Sequence, residues 1–383
     1  MTEKLYYADS HLFLFDATVT ACRAIDGGWE VELDRSAFFP NEGGQYADTG
    51  VLNDAAVSDV QLRGDTLVHI TDRPLQVGSR CHGRLNADER LRKMQNHTGE
   101  HSVSGLVHKH YGLNNVGFHL GHDDVTLDFD GPLDRSQLDF IEQLANGAVA
   151  ACAKVTARFP SDEELATLDY RSKLELTEDV RIVTIDGYDC CACCAPHVDN
   201  CGEVGLIKLL DFARYKGGVR VHMQCGLDAL DDYREKYRVV EHIALALSAK
   251  QSEADAAFDK LMSDYDARGR EIAALKRQLA LSKLPHDSVQ GDLVLIEQSL
   301  DGQSLRQLAD AAADKCDGTV YAFSGEGGAY NFVVASRSRD VQQATRLMCD
   351  RFEGRGGGSE RMTQGRITAD EQSLRSFLGN LDK

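Results

Sequence analysis

The sequence predicts a mixed α+β chain of several domains, and three observations carry that expectation. Its 383 residues exceed what one ordinary hydrophobic core organises. The hydrophobic period changes from strand-like to helical near Asn86. A long 3-4 repeat begins at Leu230 and ends before Pro285. The expected divisions are a small β-barrel over 1–86, a two-layer α+β domain over 87–228, a long helix or helical hairpin over 229–284, and an α/β domain over 285–383.

The first segment reads as β. Leu12, Leu14 and Ala17 start an extended run, and Asp26-Gly27-Gly28 marks a hairpin turn before Trp29–Leu33. Phe38-Phe39-Pro40-Asn41-Glu42-Gly43-Gly44-Gln45 then predicts a tight turn with close backbone approach. Short strands near 57–62, 66–70 and 80–85, with regular turn signals, predict a small barrel. Asn86-x-x-Glu89 opens a helix running to about His110. Strands follow at 116–120 and 125–129. Asp134-x-x-Gln137 and Ser161-x-x-Glu164 open two further helices. A strand at 180–185 leads into a cysteine-rich loop, and 204–212 with 219–224 form a last β pair turned at Gly217-Gly218. The 3-4 repeat gives one helix of roughly 75 Å or a hairpin broken near Gly269. A seam that long calls for a second copy as partner. Beyond Pro285 the pattern is strand (293–297), helix (305–315), hairpin (319–324 with 330–336) and helix (341–352). It ends in the glycine run Gly354-Arg355-Gly356-Gly357-Gly358, read as a phosphate cradle or a mobile loop.

Composition narrows the function. Hydrophobic residues make up 42% and charged residues 27%, as in water-soluble globular proteins. No apolar run approaches the roughly 18–20 residues that cross a bilayer, and Met1–Tyr7 lacks a signal peptide's layout. The expectation is cytoplasmic, without a membrane partner. The net charge of −19 opposes broad nucleic-acid binding, so any such partner needs a local basic patch. Lys208, Arg214, Lys216 and Arg220 form one candidate; Arg351, Arg355, Arg361 and Arg366 form another. Of 11 cysteines, four fall between Cys190 and Cys194. In a reducing compartment such neighbours act as thiols or metal ligands rather than as a disulfide framework.

Two spacings carry the chemistry. His97 and His101 lie four residues apart on the helix opened by Asn86, so both imidazoles share one face. Cys193 and His197 are four apart in the cysteine-rich loop. Three imidazoles and a thiolate make a tetrahedral, borderline-soft set that suits Zn²⁺. His97-x-x-Glu100-His101 also fits an inverted zinc-peptidase motif, in which the glutamate moves protons. Covalent catalysis by a cysteine within 190–197 is a further alternative, weakened because a metal-bound thiolate is occupied as a ligand.

Four stretches, in this order, resemble the editing machinery of alanyl-tRNA synthetase and its free-standing AlaX-type relatives. They are Phe38–Gly50, with its glycine-rich turn; Met94–His101, with the His-x3-His pair; Cys193–Val198 with Gly202–Gly205; and Gly218-Val219-Arg220. The region from 229 to the glycine-rich end more loosely resembles the DHH-associated domain that closes alanyl-tRNA synthetase. The resemblance implies a long-form, free-standing editing protein with no ATP site, whose partner is the acceptor end of tRNA(Ala). It implies zinc held by His97, His101, Cys193 and His197, and hydrolysis of the aminoacyl ester on tRNA(Ala) mischarged with serine or glycine. The attacking water is either zinc-bound or a neighbour. Gln45 is expected to bind the seryl hydroxyl, and Lys208, Arg214, Lys216, Arg220 and Arg355 to contact tRNA. A homodimer through 229–284 and the C-terminal domain is also expected. Two departures stand out: Ala195-Pro196 replaces the family's Gly-Thr before the last histidine, and Glu100 stands where many relatives carry a small residue. The non-enzymatic alternative is a tRNA-binding protein with a structural zinc.

Overall fold

The computed structural model describes residues 1–121, 125–172 and 180–379. The chain is mixed α+β and divides into two compact units, Met1–Val239 and Val240–Lys383.

The first unit begins with β1 (Glu3–Lys4), β2 (Leu14–Ile25), β3 (Gly28–Leu33), β4 (Arg35–Ser36), β5 (Gly50–Leu52), β6 (Ala55–Arg63), β7 (Thr66–Thr71) and β8 (Arg80–Leu85). Six of them pair in the order β2-β3-β7-β6-β5-β8, and β8 returns to β2, closing a barrel. Alternate residues point inward, so Val19, Val31, Leu33, Leu52, Val60 and Leu67 are buried. A buried pair also lies inside: Ser36 Oγ is 2.8 Å from His69 Nε2, and His69 Nδ1 is 3.1 Å from the Val31 carbonyl. Between β4 and β5 the chain leaves the barrel as the glycine-rich turn. Gly44 has φ +80°, and a Cβ there would stand 2.6 Å from the Phe118 carbonyl oxygen. Only glycine meets both demands.

Helix α1 (Ala87–Tyr111) follows, capped by Asn86 and ended by Gly112 at φ +68°. It is buried without interruption from Lys93 to Val107 although many of its side chains are polar. A helix of that kind is stable only if each polar group finds a partner. Arg90 donates to Asp48 (Nε, 2.9 Å) and to the carbonyls of Ser10 and Ala37. Lys93 Nζ reaches Ala47 O at 2.7 Å, Asp48 at 3.3 Å and Glu89 at 2.7 Å. Asp48 also accepts from the Phe39 amide at 2.8 Å. This buried cluster fastens the barrel to the helix. On other sides Gln95 Nε2 donates to Glu203 O, and Asn96 Oδ1 accepts from the Cys225 amide.

The next elements are β9 (Asn115–Leu120), β10 (Val125–Phe129), α2 (Arg135–Ala150), β11 (Val155–Arg158), α3 (Asp162–Leu165), β12 (Ile182–Ile185), β13 (Asp189–Ala192), β14 (Ile207–Tyr215), β15 (Gly218–Cys225) and α4 (Gly226–Ala246). Strands β14-β15-β10-β9 form an antiparallel sheet. Its inner face (Leu127, Phe129, Val219, Val221, Met223) shares one core with Met94, Val103 and Val107 of α1 and Leu138 and Ile141 of α2. The glycine-rich turn joins this layer, since the Leu120 amide donates to Gly44 O at 2.8 Å. Strands β11-β12-β13 form a second, smaller sheet. Part of the expected cysteine-rich loop is therefore strand: Cys190 and Cys191 pair with Thr184 and Val183.

In the second unit α5 (Ala254–Ser282) precedes β16 (Leu293–Glu297), α6 (Gly302–Ala313), β17 (Val320–Glu326), β18 (Ala329–Ala335), α7 (Gln342–Arg351), β19 (Arg355–Gly358), β20 (Met362–Thr368) and α8 (Glu371–Leu378). The sheet order is β16-β17-β18-β20-β19, with only the first pair parallel. Two expectations are corrected. The helical repeat breaks at 247–253 and not near Gly269, because Ser248 takes φ +53° and ends α4. Neither glycine nor proline marks that break. The glycine run is an edge strand: a Cβ on Gly356 would lie 2.5 Å from the Phe332 ring, so bulk is excluded by packing.

Two outcomes follow. Replacing Asp48 with alanine strips Arg90 and Lys93 of their shared buried anion, which costs about 3–5 kcal/mol. Urea unfolding followed by fluorescence of Trp29, the single tryptophan, in β3, reads that loss. His69 is pushed down to about 4 by burial, against its bond to the Val31 carbonyl. Its folded value lies below its unfolded value, so the unfolded chain binds the extra proton. Stability is full above about pH 6.5 and falls as pH drops toward 4. A His69→Gln variant is expected to show a flatter profile over that window in the same unfolding assay.

Candidate metal centre

The four ligand atoms of His97, His101, Cys193 and His197 lie within 4.8 Å of one another, and the three histidines are buried. Each imidazole is held from behind. His97 Nδ1 donates to Gln45 Oε1 at 2.9 Å, and His101 Nδ1 to Asp189 Oδ2 at 2.9 Å. His197 Nδ1 lies 3.0 Å from Thr98 Oγ1, which also accepts from the Val198 amide at 3.3 Å. An amide or carboxylate oxygen can only accept, so the Nδ1 atoms of His97 and His101 carry a proton. The Nε2 atoms turn toward one sulfur: Cys193 Sγ is 3.5 Å from His97 Nε2 and 3.4 Å from His197 Nε2. A tetrahedral zinc with bonds of about 2.3 Å to sulfur and 2.0–2.1 Å to nitrogen sets N and S about 3.5 Å apart. The donor set fits that metal in kind and in size.

Electrostatics agrees. Burial would raise the Cys193 thiol, but His97 and His197 outweigh it and hold the thiol well below its ordinary value. Burial pushes His197 down to about 3. A thiolate and a neutral imidazole are the forms a metal binds. Neighbouring thiols behave oppositely: burial pushes Cys191 up to about 11, and burial with the Cys193 charge pushes Cys194 up to about 12. His101, with Asp189 and Cys191, forms a second close group. Asp189 there is taken by Arg171, which donates twice at 2.8 and 2.9 Å, so this group supports the first.

Asp189, Thr98 and Arg171 were missed by sequence reasoning. Asp189 stands four residues before Cys193 and Thr98 directly after His97, but neither spacing announces a holder. Gln45, expected only at the substrate, also orients His97. Its Nε2 is buried and has no hydrogen-bond partner among the described residues. A cavity of about 520 Å³ opens beside Asp189, lined among others by Lys109, Asn115, Arg171 and Tyr188. Lys208, Arg214, Lys216 and Arg220 all lie on the β14–β15 hairpin. Lys208 is paired with Glu142, and Arg220 is paired twice with Asp128 and stacked on Tyr215. Arg214, Lys216 and Arg355 are exposed, Arg355 in the second unit. No helix among the described residues is long and apolar enough to cross a membrane.

Fold and site thus define a barrel joined to an α+β layer that carries a three-histidine, one-cysteine cluster able to hold a metal. The model of the threonyl and alanyl tRNA synthetase second additional domain matches residues 180–222. The alanine–tRNA ligase of Thermofilum pendens is 29% identical over 388 residues, covering 96% of this chain and 42% of that protein. That of Ignicoccus hospitalis is 30% identical over 292 residues, covering 73% and 31%. The C-Ala domain of Aquifex aeolicus alanyl-tRNA synthetase matches 23% of this chain and 84% of that one, at 22% identity and a TM-score of 0.21. The chain belongs to the AlaX-type alanyl-tRNA synthetase editing-domain family. It spans less than half the length of these curated ligases.

Asp189 fixes the ring of His101 from behind and is not among the four converging donors. Asp189→Asn is expected to weaken zinc affinity roughly 10- to 100-fold, measured by competition with a chromogenic chelator.

Proposed function

We propose that this chain is a zinc-dependent deacylase that hydrolyses the ester of tRNA(Ala) mischarged with serine, with glycine as the second candidate. The observation that carries the reading is the convergence of three Nδ1-held imidazoles and a thiolate beside the barrel's Glu42-Gly43-Gly44-Gln45 turn. Bound zinc would supply Lewis-acid polarisation of the ester or of a water. Water adds to the carbonyl carbon, the ester bond breaks, and serine and a free ribose hydroxyl leave.

The chain's own groups supply position. Gln45 offers its Nε2, which has no partner among the described residues, to the seryl hydroxyl while its Oε1 holds His97. A buried donor left unpaired by alanine disfavours the correct product. The need is physical: an apolar pocket distinguishes such analogues only by about 10²-fold, and hydrolysis supplies the rest. For the tRNA backbone the exposed Arg214, Lys216 and Arg355 are stronger candidates than the paired Lys208 and Arg220. Exposed apolar side chains on α4 (Tyr233, Leu245) and on α5 (Tyr265, Leu279) support pairing with a second copy. The peptidase reading is disfavoured because a cysteine and a third histidine complete the donor set.

Deacylation of seryl-tRNA(Ala) by the full chain, with and without chelator, tests the proposal. Activity is expected to vanish with chelator and in Cys193→Ala; full activity in that variant would reject the site. Gln45→Ala is expected to reduce the preference for seryl- over alanyl-tRNA(Ala) by roughly tenfold, read as the ratio of kcat/KM values.

A further inference from the structure

A row of three residues crosses one end of the β11-β12-β13 sheet. Arg158 pairs with Ile182, and Ile182 with Ala192. One step further, the register sets Phe159 opposite Arg181 and Arg181 opposite Cys193, whose amide donates to the Arg181 carbonyl at 2.9 Å. Cross-strand neighbours share a face and strands lie about 4.8 Å apart, so Phe159 stands roughly 10 Å from Cys193 on the same side. Tyr7 fills the space between. Its ring centroid is 5.3 Å from that of Phe159 and 5.2 Å from the guanidinium carbon of Arg181. Buried Tyr6 braces Tyr7 edge-on at 4.7 Å. Phe159 itself is 49% exposed. Lys4 Nζ adds a second cation, 5.7 Å from the Tyr7 centroid.

An aromatic pair with cations beside it is a surface that single-stranded nucleic acid takes, because bases stack on rings and phosphates meet charge. On a chain of net charge −19 such charge has to be gathered locally. The acceptor end of a tRNA is single-stranded, and its terminal ribose carries the ester on one side and the base on the other. With the ester at the four-donor cluster, the base falls one nucleoside away, a span like that from Cys193 to Phe159. We infer that the terminal base of the acceptor end stacks on Phe159, held by Tyr7, with Lys4 beside the adjoining phosphate. This rests on the deacylase reading. The ring then selects nucleoside esters over the same seryl group carried on an alcohol without a base.

The test uses the zinc-loaded full chain and two non-hydrolysable probes: the L-serine amide of 3′-amino-3′-deoxyadenosine and the same amide on the sugar without its base. Calorimetry gives the affinity ratio, and elemental analysis gives the zinc content. Wild type is expected to prefer the probe with the base by at least roughly fivefold. Phe159→Ala is expected to bring the two probes within about twofold, whereas Phe159→Trp keeps the preference. Equal binding of both probes by wild type, which would leave the patch to a protein partner, overturns the proposal. So does a preference that survives Phe159→Ala. Loss of zinc along with the preference in Phe159→Ala also overturns it, since the ring would then be a brace for the Cys193 loop. A Phe159-dependent preference without any hydrolysis of seryl-tRNA(Ala) would end the deacylase reading and leave the base contact standing.

Discussion

A helix with polar side chains and almost no face to water is the constraint on which the first unit depends. Between Arg90 and Val107, α1 buries two cations, a carboxylate, two amides and two imidazoles. None of these can be left without a partner at acceptable cost. The partners come from everywhere: the barrel through Asp48 and Gln45, the β15–α4 junction through Cys225 and Leu227, β13 through Asp189, and the loop before β14 through Glu203. The helix therefore fixes how barrel, sheet and cysteine-bearing strand meet. The cluster of His97, His101, Cys193 and His197 lies where these attachments converge.

The holders behind the imidazoles differ in character, and that matters to the chemistry. Gln45 is neutral, Thr98 is a hydroxyl, and Asp189 is an anion already matched by Arg171. His101 thus has the most basic support: burial would lower it, but Asp189 and Cys193 raise it well above its ordinary value. His197, with only a hydroxyl behind it, stays neutral. A carboxylate behind a ligand imidazole strengthens donation to a metal, while the ion pair with Arg171 keeps that carboxylate from becoming a ligand itself.

Much of this was legible in the sequence, for identifiable reasons. The caps at Asn86 and Asp134 and the turn glycines act locally, so α1, α2 and the hairpins could be placed from neighbouring residues. The four converging side chains were legible because helical spacing joins His97 to His101 and the short Cys-x3-His spacing joins the other two. What stayed hidden depends on long-range pairing. Asp189 and Thr98 act through contacts 88 and 99 residues away, which no local pattern encodes. The helical break at Ser248 was hidden because a serine carries a left-handed backbone normally given to glycine. The glycine run at 354–358 misled because sterically required glycines look the same as mobile ones.

The departure at Ala195-Pro196 gains a physical account. A loop that presents a ligand sulfur must be stiff, and here stiffness comes from Arg181, just ahead of β12. Its Nη1 donates to the carbonyls of Cys193 at 3.0 Å and Ala195 at 2.8 Å, while its own carbonyl accepts from the Cys193 amide at 2.9 Å. The guanidinium also sits over the Tyr7 ring from the barrel side, 5.2 Å from its centroid. Ala195 is fully buried, and proline at 196 removes a backbone donor and fixes φ. The hydroxyl lost from the loop has a counterpart in the helix, because Thr98 supplies the oxygen that faces His197 Nδ1. A loop clamped at two carbonyls needs no glycine to turn and no threonine of its own to orient the last ligand. The change is therefore compatible with an intact donor set, and its consequences fall on how the loop meets a substrate rather than on how it meets a metal.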